Sequence, residues 1–477
     1  MLTMKTILGA GWTVSSRLAG RLIDFVTVLV LARSLTPADF GLTALAMTLT
    51  VIVDTVLQVP LIQALTRLRC VEKSHLDTAF TLGLLRGLLL SVIVLVAAWP
   101  FAHIYNDDRL LALVAVLSVG PVARSLYSPA MVKYIREMSF RQLFVAELLG
   151  KIIASIVAIS VVYRGGGYWA IAASSVSTPV AVTLISYLLA PYWPRFSLSR
   201  FSEFSTFLGW FSTAQLVSTV SWQFDRILLG YFISKSDLGQ FTMASDLSDM
   251  PTQSLVGPAM QPVMAAFSRI GDDPARLRSA YLKASRFTML LAAPTCIGMS
   301  LTSDLVVDVL LGAKWHEAAV YLQWLALWIV LIAFYQPVQS LALATNRTNV
   351  IFRLSLVELC SRVILVSLGI YFYSLMGVVV ARGVMSLIWF ILSLLSAQYL
   401  VGTKVFSELG NLWQVAAACA VMALSVLALR HGLSGTHLNE VFQLILTAAF
   451  GSLVYAGSLL MFGVRLKGYL ETDIKAA

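Results

Sequence analysis

The chain is a succession of apolar runs, each long enough to cross a lipid bilayer. Residues 411–429, NLWQVAAACAVMALSVLAL, hold no charge at all. About 20 mostly apolar residues are what a helix needs to span hydrocarbon. Fourteen such runs are readable, at about 8–33, 40–65, 78–102, 110–130, 142–163, 168–190, 205–232, 238–267, 284–303, 318–342, 350–372, 376–400, 411–429 and 440–462. Their apolar residues do not alternate, which excludes barrel strands. In lipid a segment has to satisfy its own backbone N–H and C=O groups, and that leaves helix. Composition agrees: 12% of the 477 residues are charged, about half of what a soluble protein carries, too few to coat a water-facing surface. The predicted fold class is therefore all-α integral membrane, with about 14 transmembrane helices.

The connections are short, so no extramembrane catalytic domain is expected in them. The N-terminal apolar run follows Lys5 and continues to about residue 33. It is too long for a signal-peptide core and reads as a retained first span. Lys and Arg set the orientation. With the N-terminus in the cytoplasm, 20 of the 34 basic residues fall in inside segments and 6 outside. Both termini are thus expected in the cytoplasm. The net charge of +10 serves orientation, and no nucleic-acid partner is expected.

The chain also resembles itself. Shifted by 198 residues, Gly11-Trp12 falls on Gly209-Trp210, Leu31 on Leu229, Asp39 on Asp237, Gly41 on Gly239 and Ala46 on Ala244. The shift carries the first span onto the seventh, and an even number of spans separates the two. The repeat is therefore parallel, about an axis along the membrane normal. The expected organisation is an N-terminal six-helix lobe at 1–192, a cytoplasmic inter-lobe linker at 193–204 and a C-terminal six-helix lobe at 205–402. Two additional transmembrane helices and a cytoplasmic tail follow at 403–477.

Charges inside the runs are the candidate functional residues, because a charge at the bilayer centre costs at least about 2.5–3.5 kcal/mol and has to face the protein interior or water. Arg17, Arg21 and Asp24 share one face of the first span at i, i+4 and i+7. Along single helices, Arg21 with Asp24, Glu147 with Lys151 and Glu358 with Arg362 stand at pairing distance. Arg17, Arg86, Arg124 and Arg382 have no acid near them on their own helix. If Arg86 and Arg124 converge on the Arg17–Arg21 face, the first lobe has a cationic pocket, and the planar guanidinium fork suits phosphate oxygens. Span seven is rich in polar groups, ending on Asp225 and Arg226. The four cysteines and five histidines are scattered, so no metal site is expected. No G-x-S-x-G, H-E-x-x-H or Walker A motif is present.

Several stretches together carry a family resemblance: ARSLTPADFG (32–41), FDRILLGYFISKSDLGQF (224–241), AFSRIGDDPARLRSAYLK (266–283), LLGAKW (310–315) and LALATNRT (341–348). Over about residues 5–410 the chain resembles the polysaccharide-exporter branch of the multidrug/oligosaccharidyl-lipid/polysaccharide (MOP) transporter superfamily, Wzx-type flippases of the colanic-acid kind especially. It departs from them before span nine, where the Phe-Pro often found in the family is Met264-Ala265 here. The resemblance implies two six-helix lobes around a cavity. It implies a transporter, not an enzyme, in the bacterial inner membrane. The substrate would be an oligosaccharide on undecaprenyl pyrophosphate, a lipid-linked oligosaccharide of the exopolysaccharide, capsule or O-antigen kind, with the pathway's polymerase and glycosyltransferases as partners. On this reading Arg17, Arg21, Arg86 and Arg124 would hold pyrophosphate. Asp24, Asp54, Lys151, Asp225 and Arg226 would line the sugar path or serve coupling. No cofactor is expected beyond a possible H+ or Na+ coupling ion. Two alternatives stand beside it: a cation-coupled multidrug antiporter of the same superfamily, which would use a lone buried acid such as Asp54, and a membrane glycan polymerase or ligase.

Overall fold

The computed structural model describes residues 19–56, 61–68, 70–137, 139–201, 210–271, 273–433 and 438–463. The chain forms two compact units, Met1–Gly239 and Gln240–Ala477.

The first unit holds α1 (19–34), α2 (Pro37–Val56), α3 (Leu61–Arg67), α4 (Lys73–Ile104), α5 (Arg109–Leu117), α6 (Val119–Ser125), α7 (Val132–Arg136), α8 (Arg141–Tyr163), α9 (Trp169–Leu189) and α10 (Trp210–Phe232). Helix α2 starts on Pro37, whose missing N–H is no loss at a first turn. Ahead of it Thr36 and Asp39 cap each other: the Thr36 backbone N–H donates to the Asp39 carboxylate at 2.9 Å, and the Asp39 N–H returns to the Thr36 hydroxyl at 3.3 Å. Thr43, Thr48, Thr50 and Thr55 each donate to the carbonyl four residues back. That local bond is how a hydroxyl enters a bilayer without an unmet donor.

Beyond its first turns, and Arg86 apart, helix α4 is apolar on nearly every side, and small residues decide which face turns inward. Gly83, Gly87, Leu90, Val94, Ala98 and Ala102 are buried, while Leu85, Leu88, Leu89, Val92, Val96 and Trp99 are exposed. A helix of this kind is a membrane span, its outer face meeting lipid. Helix α8 repeats the device with Ala146, Gly150, Ala154 and Ala158 buried. A Cβ at Gly150 would strike the Val182 side chain of α9, so glycine permits the close packing that drives helix association in lipid.

One crossing in the first unit obeys the 198-residue shift. A Cβ at Gly41 would strike the Lys235 carbonyl oxygen, and a Cβ at Gly239 would strike the carbonyl oxygen of Pro37. Residues 37 and 41 thus meet 235 and 239 reciprocally, each contact the image of the other under the shift. Gly11, Trp12 and Gly209 lie outside the described residues.

The second unit continues α11 (Lys235–Pro251), whose first turn belongs to the first unit. A π-turn at Thr252–Val256 leads to α12 (Gly257–Arg269). Then come α13 (Pro274–Leu301), α14 (Ser303–Leu310), α15 (His316–Ala333), α16 (Tyr335–Ala344), α17 (Thr348–Val401), α18 (Val405–Leu433) and α19 (Glu440–Met461). Helix α17 is two spans in one: Tyr373 and Ser374 leave helical geometry, Ser374 at φ 51°, between the runs expected at 350–372 and 376–400. The two arms fold back so tightly that a Cβ at Gly369 would strike Gly377 and the reverse. The hairpin α18–α19 is built into this unit. Cys419, Met422, Tyr455 and Leu459 share a core with Met289, Leu290 and Ala293 of α13, and the Tyr455 hydroxyl donates to the Leu290 carbonyl at 3.1 Å.

Among the described residues eight helices are long and apolar enough to cross a membrane unaided, α17 counted once. Two further pairs qualify as broken spans: Arg109–Ser125 with Pro129–Arg136, bent by 51°, and Pro274–Leu301 with Ser303–Leu310, bent by 77°. The chain is an all-helical membrane protein, as expected. The bends were not expected, because hydropathy measures apolarity and not direction. At the first bend Pro129 opens a new turn, and the residue before a proline is driven out of helical geometry: Ser128 stands at ψ 113°.

Candidate functional site

The first unit brings together Arg86 and Arg124, two of the arginines with no acid near them on their own helix. Asp54 stands near the end of α2, Arg86 in the middle of α4 and Arg124 at the end of α6. Arg86 donates from one nitrogen to the Asp54 carboxylate at 2.9 Å and to the Asp54 backbone carbonyl at 2.8 Å. Arg124 meets the other oxygen of the same carboxylate at 3.2 Å. Two guanidinium groups thus share one carboxylate. The Arg86, Asp54 and Arg124 side chains are 20%, 28% and 48% exposed, so the cluster is open on the Arg124 side.

Glycines place the two arginines side by side. Gly83 and Gly87 flank Arg86 at a spacing of four on the face of α4 that meets α6. A Cβ at Gly87 would strike the Ser125 hydroxyl and come within 2.7 Å of Ser125 Cβ, and a Cβ at Gly83 would lie 3.2 Å from the Ser125 carbonyl oxygen. The close approach brings α6, and Arg124 with it, against α4. The Gly-x-x-x-Gly spacing around Arg86, an arginine with no acid near it on its own helix, was the signal in the sequence; charge spacing alone does not show it.

A second pair lies between α1 and α8, where the Lys151 ammonium donates to the Asp24 carboxylate. Gly20 makes room for it: a Cβ there would lie 3.2 Å from the Lys151 nitrogen. Lys151 therefore pairs across helices, which a single-helix spacing argument does not see. Arg21 is half-buried on α1. Arg17 lies outside the described residues. On α10, Asp225 is buried and Arg226 half-buried, and the neighbouring Gln223 accepts from the Thr48 hydroxyl of α2 at 3.2 Å. The structure thus brings Arg86, Arg124 and Asp54 to one place, and Asp24 and Lys151 to another. Among the described residues no group of three or more His, Cys, Asp or Glu is placed to hold a metal.

One carboxylate orients both guanidinium groups. A guanidinium presents a planar fork of N–H donors, a geometry that matches carboxylate or phosphate oxygens.

The fold around this site is one already seen in solved structures. The chain superposes on the lipid II flippase MurJ in its inward closed conformation with a TM-score of 0.74, over 96% of this chain and 98% of that one, at 15% identity. By sequence, the chain belongs to the polysaccharide biosynthesis protein family, whose pattern it matches over residues 30–320. It is 24% identical to the succinoglycan biosynthesis transport protein ExoT of Rhizobium meliloti (strain 1021), across 94% of this chain and 92% of that protein. It is 21% identical to the lipopolysaccharide biosynthesis protein WzxC of Escherichia coli (strain K12), across 74% of this chain and 72% of that one.

Proposed function

We propose that the protein flips an oligosaccharide carried on a polyprenyl pyrophosphate across a bacterial inner membrane by alternating access, with both termini in the cytoplasm. The observation that carries this reading is the convergence of Arg86 and Arg124 on Asp54. A pyrophosphate cannot enter hydrocarbon without cationic partners, and this cluster offers two within one membrane-embedded site. Family membership and the MurJ-like fold support the same reading. On this reading Arg17 and Arg21 add positive charge for the same cargo.

The lobes 1–192 and 205–402, joined by the linker 193–204, are the elements that alternate. Asp225 and Arg226 line the sugar path. The cargo is assembled by glycosyltransferases before it is flipped and consumed by a polymerase afterwards. The reading needs no cofactor. Asp24, exposed and paired with Lys151, is the acid placed to exchange its partner for H+ or Na+.

The test is complementation of a host lacking this gene. Arg86→Gln with Arg124→Gln, at wild-type membrane abundance, is expected to abolish export of the surface polymer and to leave lipid-linked glycan on the inner face. Unchanged export would refute the assignment. Lost drug resistance with intact export would point to the antiporter reading.

A further inference from the structure

We propose that the second unit holds a pyranose-binding platform built from Trp324 and Trp328 of α15 with Arg382 of α17 and Ser245 of α11. It rests on the flippase reading and names the part of the cargo that this region would take. The residues come from three spans and close into one cluster. Arg382 donates to the Ser245 hydroxyl at 2.7 Å and lies 5.1 Å from the Phe241 ring centroid. Phe241 meets Tyr321 of α15 edge-on at 6.3 Å. One and two turns further along α15, Trp324 and Trp328 stack at 6.3 Å with 22° between their planes. Trp328 then returns to α17, where a Cβ at Gly383 would lie 2.6 Å from its ring.

Gly383 is therefore what seats Trp328, and Trp328 in turn supports Trp324. The Trp328 indole N–H is buried without an acceptor, while Trp324 is 40% exposed. Depth separates this pair from an interfacial anchor. Trp324 stands eight residues inside α15, about 12 Å along the axis at about 1.5 Å per residue, and Trp328 lies about 6 Å deeper. Aromatic belts sit at the membrane surface. A stacked pair at that depth, linked through Tyr321 and Phe241 to a guanidinium and a hydroxyl, fits a sugar ring. The apolar C–H face of a pyranose lies on an indole, and its rim hydroxyls meet nitrogen and oxygen donors. An aliphatic lipid chain would use the rings but not the arginine.

The test uses the full-length protein in nanodiscs and two probes extracted or prepared as lipids: the undecaprenyl-pyrophosphate-linked glycan of the host, and undecaprenyl pyrophosphate without sugar. Wild type is expected to bind the glycan-bearing lipid at least tenfold more tightly than the bare one. Trp324→Ala erases that difference and leaves binding of the bare lipid unchanged, whereas Trp324→Phe, which keeps a ring, retains most of it. Arg382→Gln reduces the difference. Arg86→Gln with Arg124→Gln weakens both probes alike. Should Trp324→Ala keep the full preference for the glycan, the platform is refuted while the flippase reading stands. Should wild type bind neither probe better than phosphatidylglycerol vesicles do, the flippase reading fails and the platform falls with it.

Discussion

Two arginine clusters inside the spans have opposite character. In the second unit, Arg362 meets Glu358 four residues back on its own helix at 2.9 Å, the side chains 8% and 10% exposed. In the first unit, Arg86 and Arg124 meet on Asp54 from three different helices, with exposures from 20% to 48%. The first arrangement stays within one helix and shuts out solvent. The second joins three helices around one carboxylate and is open on the Arg124 side. A closed contact along one helix lets it carry charge through lipid and holds packing in place. An open set leaves its cations within reach of a visitor. The two ought therefore to separate under mutation, one controlling stability and the other transport.

Arg362→Ala should give the largest loss of stability, because it takes a buried guanidinium from a buried carboxylate; breaking such a pair costs about 3–5 kcal/mol. Thermal unfolding in detergent would show it, and replacing both residues with methionine should recover most of the loss. Export per folded molecule should stay near wild type, and a selective export defect would break the contrast. Gly87→Ala comes next at about 1–3 kcal/mol, the usual range for overpacking. It also pushes Arg124 away from Arg86, so export should fall further than stability does. Adding Ser125→Gly, which removes the struck side chain, should restore both.

Asp54→Asn should lower stability by about 1 kcal/mol or less, since exposed ion pairs contribute little. Export should nonetheless drop severalfold as the two guanidinium groups lose their common anchor; a stability loss as large as that of Arg362→Ala would erase the distinction. The smallest effect is expected in the loop between α4 and α5. There the Arg109 guanidinium, hydrogen-bonded to Asp107, holds that carboxyl below its ordinary value. A depressed acid stabilises the fold above its unfolded pKa, and that contribution fades as the pH falls through the lowered folded value. Asp107→Asn should remove a few tenths of a kcal/mol at neutral pH and nothing in strong acid, measurable as unfolding midpoints converging on acidification.

The spans were legible because lipid enforces one rule everywhere: a run such as 411–429 has no other structure open to it. The break between 350–372 and 376–400 was legible for the same reason, since two runs in one helix would leave the bilayer. The bends at Pro129 and after Leu301 were not, because they depend on neighbours that pack against each half. The charges divide along the same line. Glu358 and Arg362 could be paired by spacing, which a single helix settles. The meeting of Arg86 and Arg124 was posed only as a condition. Asp54 as their shared partner, and the move of Lys151 to Asp24, came from crossings between helices that Gly87 and Gly20 permit.

The crossing at Gly41 and Gly239 ties the fates of the two positions together. A surface on which residues 37 and 41 meet their own counterparts 198 positions on is self-complementary, as in a twofold dimer. The two glycines share one gap, so a methyl group gained by either helix is felt by both.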